Sequence, residues 1–229
     1  MKIVMSRSWV KIAAAAAVAG LAVSACSTTK FGAAALTGDS RISSSQLTTQ
    51  VANLNTAYQA DRAKGVKPQR TTAQETQQVL TWLILFRVYN KIAAQHNINV
   101  TPAQAQKEQA GLTSEAASNK VTLTEYVSAG GALPPDLLPQ LDRYFAILSA
   151  LEGRLDGGKA PTSSATQTKL ESSVAHQQCL ASKDLGVTVN PQFGVWDYNS
   201  YSVVPAPPTL AANPTPSASP SPITTTAPC

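Results

Sequence analysis

Three cysteines and two histidines carry the most reactive side-chain chemistry in this 229-residue chain. His176 and Cys179 stand three apart within a stretch of helical pattern. On one helix face an imidazole at that spacing can take the thiol proton, which is the start of a nucleophilic pair. No third orienting group and no oxyanion motif accompanies them, so no catalytic residue is nominated and the chain is read as a non-enzyme. For metals, one His-x-x-Cys pair falls short of the four ligands of a structural zinc site, and no His-Glu-x-x-His or EF-hand spacing occurs. No glycine loop that would cradle a phosphate is present either, and neither a metal nor a cofactor is expected. Asn99-Val100-Thr101 fits a glycosylation acceptor, but a threonine entering a helix explains it equally well, and the cap reading is preferred.

The remaining reactive residue, Cys26, is defined by what precedes it. Lys2, Arg7 and Lys11 form a positive start, an apolar run extends from Ile12 to Val23, and the small residues Ser24 and Ala25 lead into the cysteine. That order is a secretory signal. The uninterrupted run is well short of the roughly 20 residues that cross a bilayer as a helix. Leu21-Ala22-Val23-Ser24-Ala25-Cys26 resembles a bacterial lipobox, with an aliphatic residue three places before the cysteine and small residues between. The resemblance implies removal of residues 1–25 and a diacylglyceryl thioether on Cys26 as the new N-terminus. Each buried methylene contributes about 0.8 kcal/mol, so two acyl chains anchor stably where one does not. With Cys26 acylated, Cys179 and Cys229 are the two cysteines left. In an exported protein they are candidate disulfide partners, although Cys229 ends a tail that could either reach Cys179 or wander.

The leader also explains the charge. The chain has 18 Lys and Arg against 13 Asp and Glu, a formal +5, but three of the bases and none of the acids lie in residues 1–25. The mature side chains are close to balanced. No basic cluster interleaved with aromatics exists, so nucleic acid is excluded as a partner.

Four segments follow: a leader over 1–25, a lipidated tether over 26–32, one domain over 33–204, and a Pro-, Ser- and Thr-rich tail over 205–229 that is too poor in apolar residues to fold. The domain reads as mainly helical. Leu47, Val51, Leu54 and Tyr58 mark one face of a helix from about Ser43–Ser45 to before Gly65. A second helix starts at Thr71 or Thr72, with a threonine three residues before Glu75 as a capping box, and its middle from Trp82 to Tyr89 is apolar around most of its circumference. It should form the centre of the core. Thr101-Pro102 opens a third helix that Gly111 ends or frays. A short helix near Leu123–Ala129 stops at Gly130-Gly131, and Pro134-Pro135-Asp136 begins another with Leu137, Leu141, Tyr144, Leu148, Leu151 and Leu155 on one face. A last helix spans about Thr162 to Leu185, with Gly186 as its stop.

The opening Ala33-Ala34-Ala35-Leu36, a Gly38-Asp39 turn, and Ile42-Ser43 running into a helix resemble the start of the SurA N-terminal domain family, which includes PrsA-type foldases. The apolar helix ending in Ala93-Ala94-Gln95-His96-Asn97-Ile98-Asn99-Val100-Thr101 is similar to their recurring pattern of a helix, a short turn and a Thr- or Ser-capped helix. Val187-Thr188-Val189-Asn190-Pro191-Gln192-Phe193-Gly194-Val195-Trp196-Asp197 resembles the closing segment of actinobacterial lipoproteins of this type. Ala33–Leu36 and Val187–Val189 are expected to pair as a two-stranded β element joining the domain ends.

The resemblance implies a membrane-anchored, extracytoplasmic, chaperone-like or peptide-binding module for exported polypeptides. The parvulin module of the foldases has no room between Gln109 and Thr162, which sets prolyl isomerisation aside. The alternative is a structural or partner-recruiting lipoprotein without client binding. Trp82, Tyr89, Tyr144 and Phe145 either line a peptide groove or, as their helical spacing favours, pack in the core. Trp196, Tyr198 and Tyr201 are the candidate peptide contacts, with covering a core edge as the preferred reading.

Overall fold

The computed structural model describes residues 32–63, 70–159 and 161–207, which belong to one compact unit beginning at Gly32. The leader, Cys26, and the tail from residue 208 to Cys229 lie outside the described residues. What is described is mainly helical with small antiparallel sheets, and no described helix is long and apolar enough to cross a membrane.

The second helix of the chain is apolar around most of its circumference and leaves water only a narrow face. In α2 (Thr72–Gln95), Val79, Leu80, Leu83, Ile84, Leu85, Phe86, Val88, Tyr89, Ile92 and Ala93 are all buried. Such a helix is stable only when neighbours enclose it. α1 (Ser44–Ala63), α5 (Leu138–Leu155), α6 (Ser164–Asp184) and the strands described below pack against it. Its start is fixed by a capping box in which Thr71 accepts from the Gln74 N–H and the Gln74 side chain accepts from the Thr71 N–H. The box therefore sits one residue before the Thr72–Glu75 pairing that the sequence suggested, and Glu75 turns inward instead. At the other end Asn97 takes a left-handed conformation (φ 51°). The Arg154 guanidinium from α5 donates to the carbonyls of His96 and Asn97, covering acceptors that the helix leaves without intrahelical donors.

The Thr101 cap and Pro102 start α3 (Pro102–Ser118) as expected. Gly111 does not end it. A Cβ at Gly111 would meet open space, and the glycine sits mid-helix without a positive φ. α3 buries only Ala116 and lies against α5. Three-residue α4 (Leu123–Glu125) widens into a π turn at Tyr126–Gly130, and a 3-10 turn at Pro135–Leu137 leads into α5.

The expected pairing of the domain ends is present: β1 (Ala33–Thr37) and β3 (Thr188–Val189) are antiparallel, with Ala35 opposite Val189. Asn190 continues the join, its N–H on the Ala34 carbonyl at 2.9 Å and its side-chain amide on the Ala33 carbonyl at 3.1 Å. The sheet is larger than two strands, because β2 (Ser40–Ser43) folds back on the other edge of β1. A separate hairpin, β4 (Val195–Asp197) with β5 (Ser202–Val204), was not anticipated. It docks on α2: the Val203 N–H donates to Thr81 Oγ1 at 2.9 Å, and the Gln77 amide donates to the Phe193 carbonyl at 3.2 Å.

Gly194 makes that docking possible. Its φ is +134°, and a Cβ there would fall 2.3 Å from the Val204 carbonyl oxygen. Gly194→Ala should therefore cost roughly 2 kcal/mol through strain and backbone clash. Gly111→Ala, in open space on α3, should gain about 0.5–1 kcal/mol. Urea unfolding midpoints of the two variants, moving in opposite directions from the parent, check both.

Candidate functional site

Buried groups that titrate converge where α1, α2 and the π turn meet. Asp61 continues the inward stripe of α1 one turn beyond Tyr58 and is 2% exposed, and Glu75, in the first turn of α2, is 4% exposed. Ser128 on the π turn donates its hydroxyl to Asp61 Oδ2 at 2.8 Å. Arg70 donates to the carbonyls of Ala129 and Gly130, and Trp82 Nε1 donates to the carbonyl of Gly131 at 2.9 Å. The helical turn ends before Pro134, and these side chains satisfy carbonyls that have no further turn to bond to.

Burial dominates the electrostatics. Desolvation raises the Glu75 carboxyl above its ordinary value, and the nearby Arg62 and Arg70 guanidiniums offset only part of that. The Tyr58 phenol is also raised, first by burial and then by Glu75, with Arg70 opposing. Arg70 is near enough to act on Tyr58, yet no hydrogen bond of good geometry reaches Tyr58 Oη. The arrangement can hold three elements together through polar contacts. No group of three or more His, Cys, Asp or Glu suited to a metal occurs among the described residues. The sequence did hold one signal for this cluster: Asp61 extends the Leu47, Leu54, Tyr58 stripe, and Glu75 stands four residues before Val79. It was missed because carboxylates at apolar positions read as the end of a stripe.

The residues singled out from the sequence are placed as follows. Cys179 is fully buried on α6 and disulfide-bonded, with its partner outside the described residues. With its sulfur in a disulfide it has no thiolate to offer, so the His176–Cys179 nucleophile has no basis. Cys26 and Cys229 are outside the described residues. Trp196 is 8% exposed and belongs to the main core cluster, against which Tyr198 and Tyr201 pack partly buried. The Tyr201 hydroxyl donates to the Ala175 carbonyl at 2.6 Å, tying the hairpin to α6. These aromatics cover a core edge.

The other aromatic set closes on itself. Tyr89 and Tyr144 have ring centroids 4.3 Å apart, Tyr144 and Phe145 5.1 Å, and Trp82 and Phe86 5.9 Å. The hollow beside Phe86 and Tyr144 holds about 30 Å³, room for about one water and not for a peptide.

Two outcomes test the buried cluster. Because the folded Glu75 holds its proton more tightly than the unfolded one, its contribution to stability is complete below the ordinary value of 4.5 and is lost as pH rises through the folded value. Glu75→Gln should remove that loss, so its melting temperature exceeds the parent's at pH 7 and the difference narrows as pH falls toward 4. Ser128→Ala strips a hydrogen bond from a buried carboxylate and should cost about 1.5–3 kcal/mol in urea unfolding.

Compared with known proteins, the chain matches no protein-family model, no curated protein and no solved structure.

Proposed function

We propose that the chain is an extracytoplasmic lipoprotein, held at the membrane by acyl chains on Cys26, whose helical domain recruits a folded partner without catalysis. The order of basic start, apolar run, small residues and Cys26 supports the anchor. One observation carries the choice between partner recruitment and client holding. Among the described residues, Leu180, at 41% exposure, is the one large hydrophobic side chain that is exposed. A surface that retains unfolded chains needs a contiguous apolar patch of several hundred Å². The aromatics that the resemblance to SurA N-terminal domains offered for such a patch are packed into the core or against its edge. Folded partners are instead recognised through mixed, largely polar surface of ordinary composition.

Light scattering of a chemically denatured client diluted into buffer separates these roles. With the full chain present in several-fold molar excess, the aggregation curve should coincide with the buffer curve. Suppression that grows with the amount of chain would return the reading to a chaperone-like holder of exported polypeptides.

A further inference from the structure

A cavity lies away from the buried polar cluster, between the end of α5 and the first turns of α6. It has a volume of about 410 Å³, within the range of small-ligand sites. Its walls divide by chemistry. Leu155, Pro161 and Leu170 supply apolar surface, Lys159 and Lys169 supply two ammonium groups, and Asp156 supplies a carboxylate. Neither lysine forms an ion pair with a described residue. Asp156 Oδ1 accepts from the Gly158 N–H at 2.8 Å, which fixes the carboxylate, and Oδ2 takes no hydrogen bond from a described residue.

The hydroxyls in the wall narrow the choice further. Thr166 is used up in the capping box of α6, donating to the Ser163 carbonyl while accepting from the Ser163 N–H and hydroxyl. Ser173 donates to the Lys169 carbonyl and so presents lone pairs and no proton. It is an acceptor, as is Asp156. Negative charge gathers near Asp156: the Glu152 carboxyl is raised first by burial and then by Asp156, Glu108 and Glu171. A simple anion would meet the lysines but also this negative field. A simple cation would meet the acceptors but also two ammonium groups. A zwitterion satisfies both sets.

We propose that this cleft binds a small zwitterion with an apolar side group, the chemistry of an apolar α-amino acid. Its carboxylate pairs with Lys159 and Lys169, its ammonium with Asp156 and the Ser173 hydroxyl, and its side chain lies on Leu155, Pro161 and Leu170. The inference stands apart from the anchoring and recruitment reading, since it uses only the α5–α6 cleft.

The test is a methyl NMR titration of the full chain in lipid nanodiscs, read at Leu155 and Leu170, with four probes. Leucine carries every recognised group, 4-methylpentanoate lacks the ammonium, isopentylamine lacks the carboxylate, and glycine lacks the side chain. Leucine should give saturable shifts, and each of the other three should bind at least about tenfold more weakly. Lys169→Gln should weaken leucine and 4-methylpentanoate about tenfold and leave isopentylamine unchanged. Asp156→Asn should weaken leucine and isopentylamine and leave 4-methylpentanoate unchanged. Both residues are at the surface of the cleft, and methyl signals of the α2 core report that each variant is folded. Absence of saturable leucine shifts, equal binding of a truncated probe, or indifference to both substitutions would overturn the proposal.

Discussion

A helix that is apolar around most of its circumference has to be enclosed, and nearly everything in this domain follows from enclosing α2. Each fully buried Leu, Ile, Val or Phe contributes on the order of 1.5–3 kcal/mol when water is removed from it. That gain is available only if neighbours arrive on every side. α1, α5 and α6 supply three of them, and β1 and the β4–β5 hairpin supply the others. The polar contacts then decide where those neighbours stop. Thr81, at 3% exposure, sits among apolar residues of α2 and would be costly there without a partner; it donates to the Gln77 carbonyl and accepts from Val203. One hydroxyl thus positions a strand that comes more than a hundred residues later.

The helices were legible in the sequence because their signals are local. The 3.6-residue period of α1 and α5, and the threonine caps of α2 and α3, involve neighbours in the chain and hold whatever the tertiary structure does. The pairing of Ala33–Leu36 with Val187–Val189 was legible for a different reason, since two short apolar segments at the two ends of one domain could pair. β2, β4 and β5 were not, because strands of three or four residues contain too few side chains to show alternation. Gly111 misled because glycine usually marks an end, yet here it sits exposed mid-helix at modest cost. The buried cluster of Asp61, Glu75 and Ser128 was missed because its members come from three distant elements.

The ends of the domain are where structure and targeting meet. β1 enters the core within a few residues of Cys26 in sequence, with Ala33, Ala34 and Ala35 at 5%, 0% and 1% exposure, so a lipid at Cys26 would hold the domain close to the bilayer surface. Small side chains suit that position, because β1 lies between β2 and β3 and against α2. α6 carries Cys179, whose disulfide uses one of the other two cysteines. Acylation of Cys26 and a bond from Cys179 to Cys26 exclude each other, since one sulfur cannot be both thioether and disulfide. The proposed anchor therefore requires Cys229 to be the partner.

A non-reducing peptide map of the protein isolated from membranes tests this directly. The account predicts an N-terminal peptide that begins at Cys26 and carries the mass of a diacylglyceryl group, together with a disulfide-linked pair containing Cys179 and Cys229. A linked pair containing Cys26 and Cys179, or an N-terminal peptide that still holds residues 1–25, would contradict it.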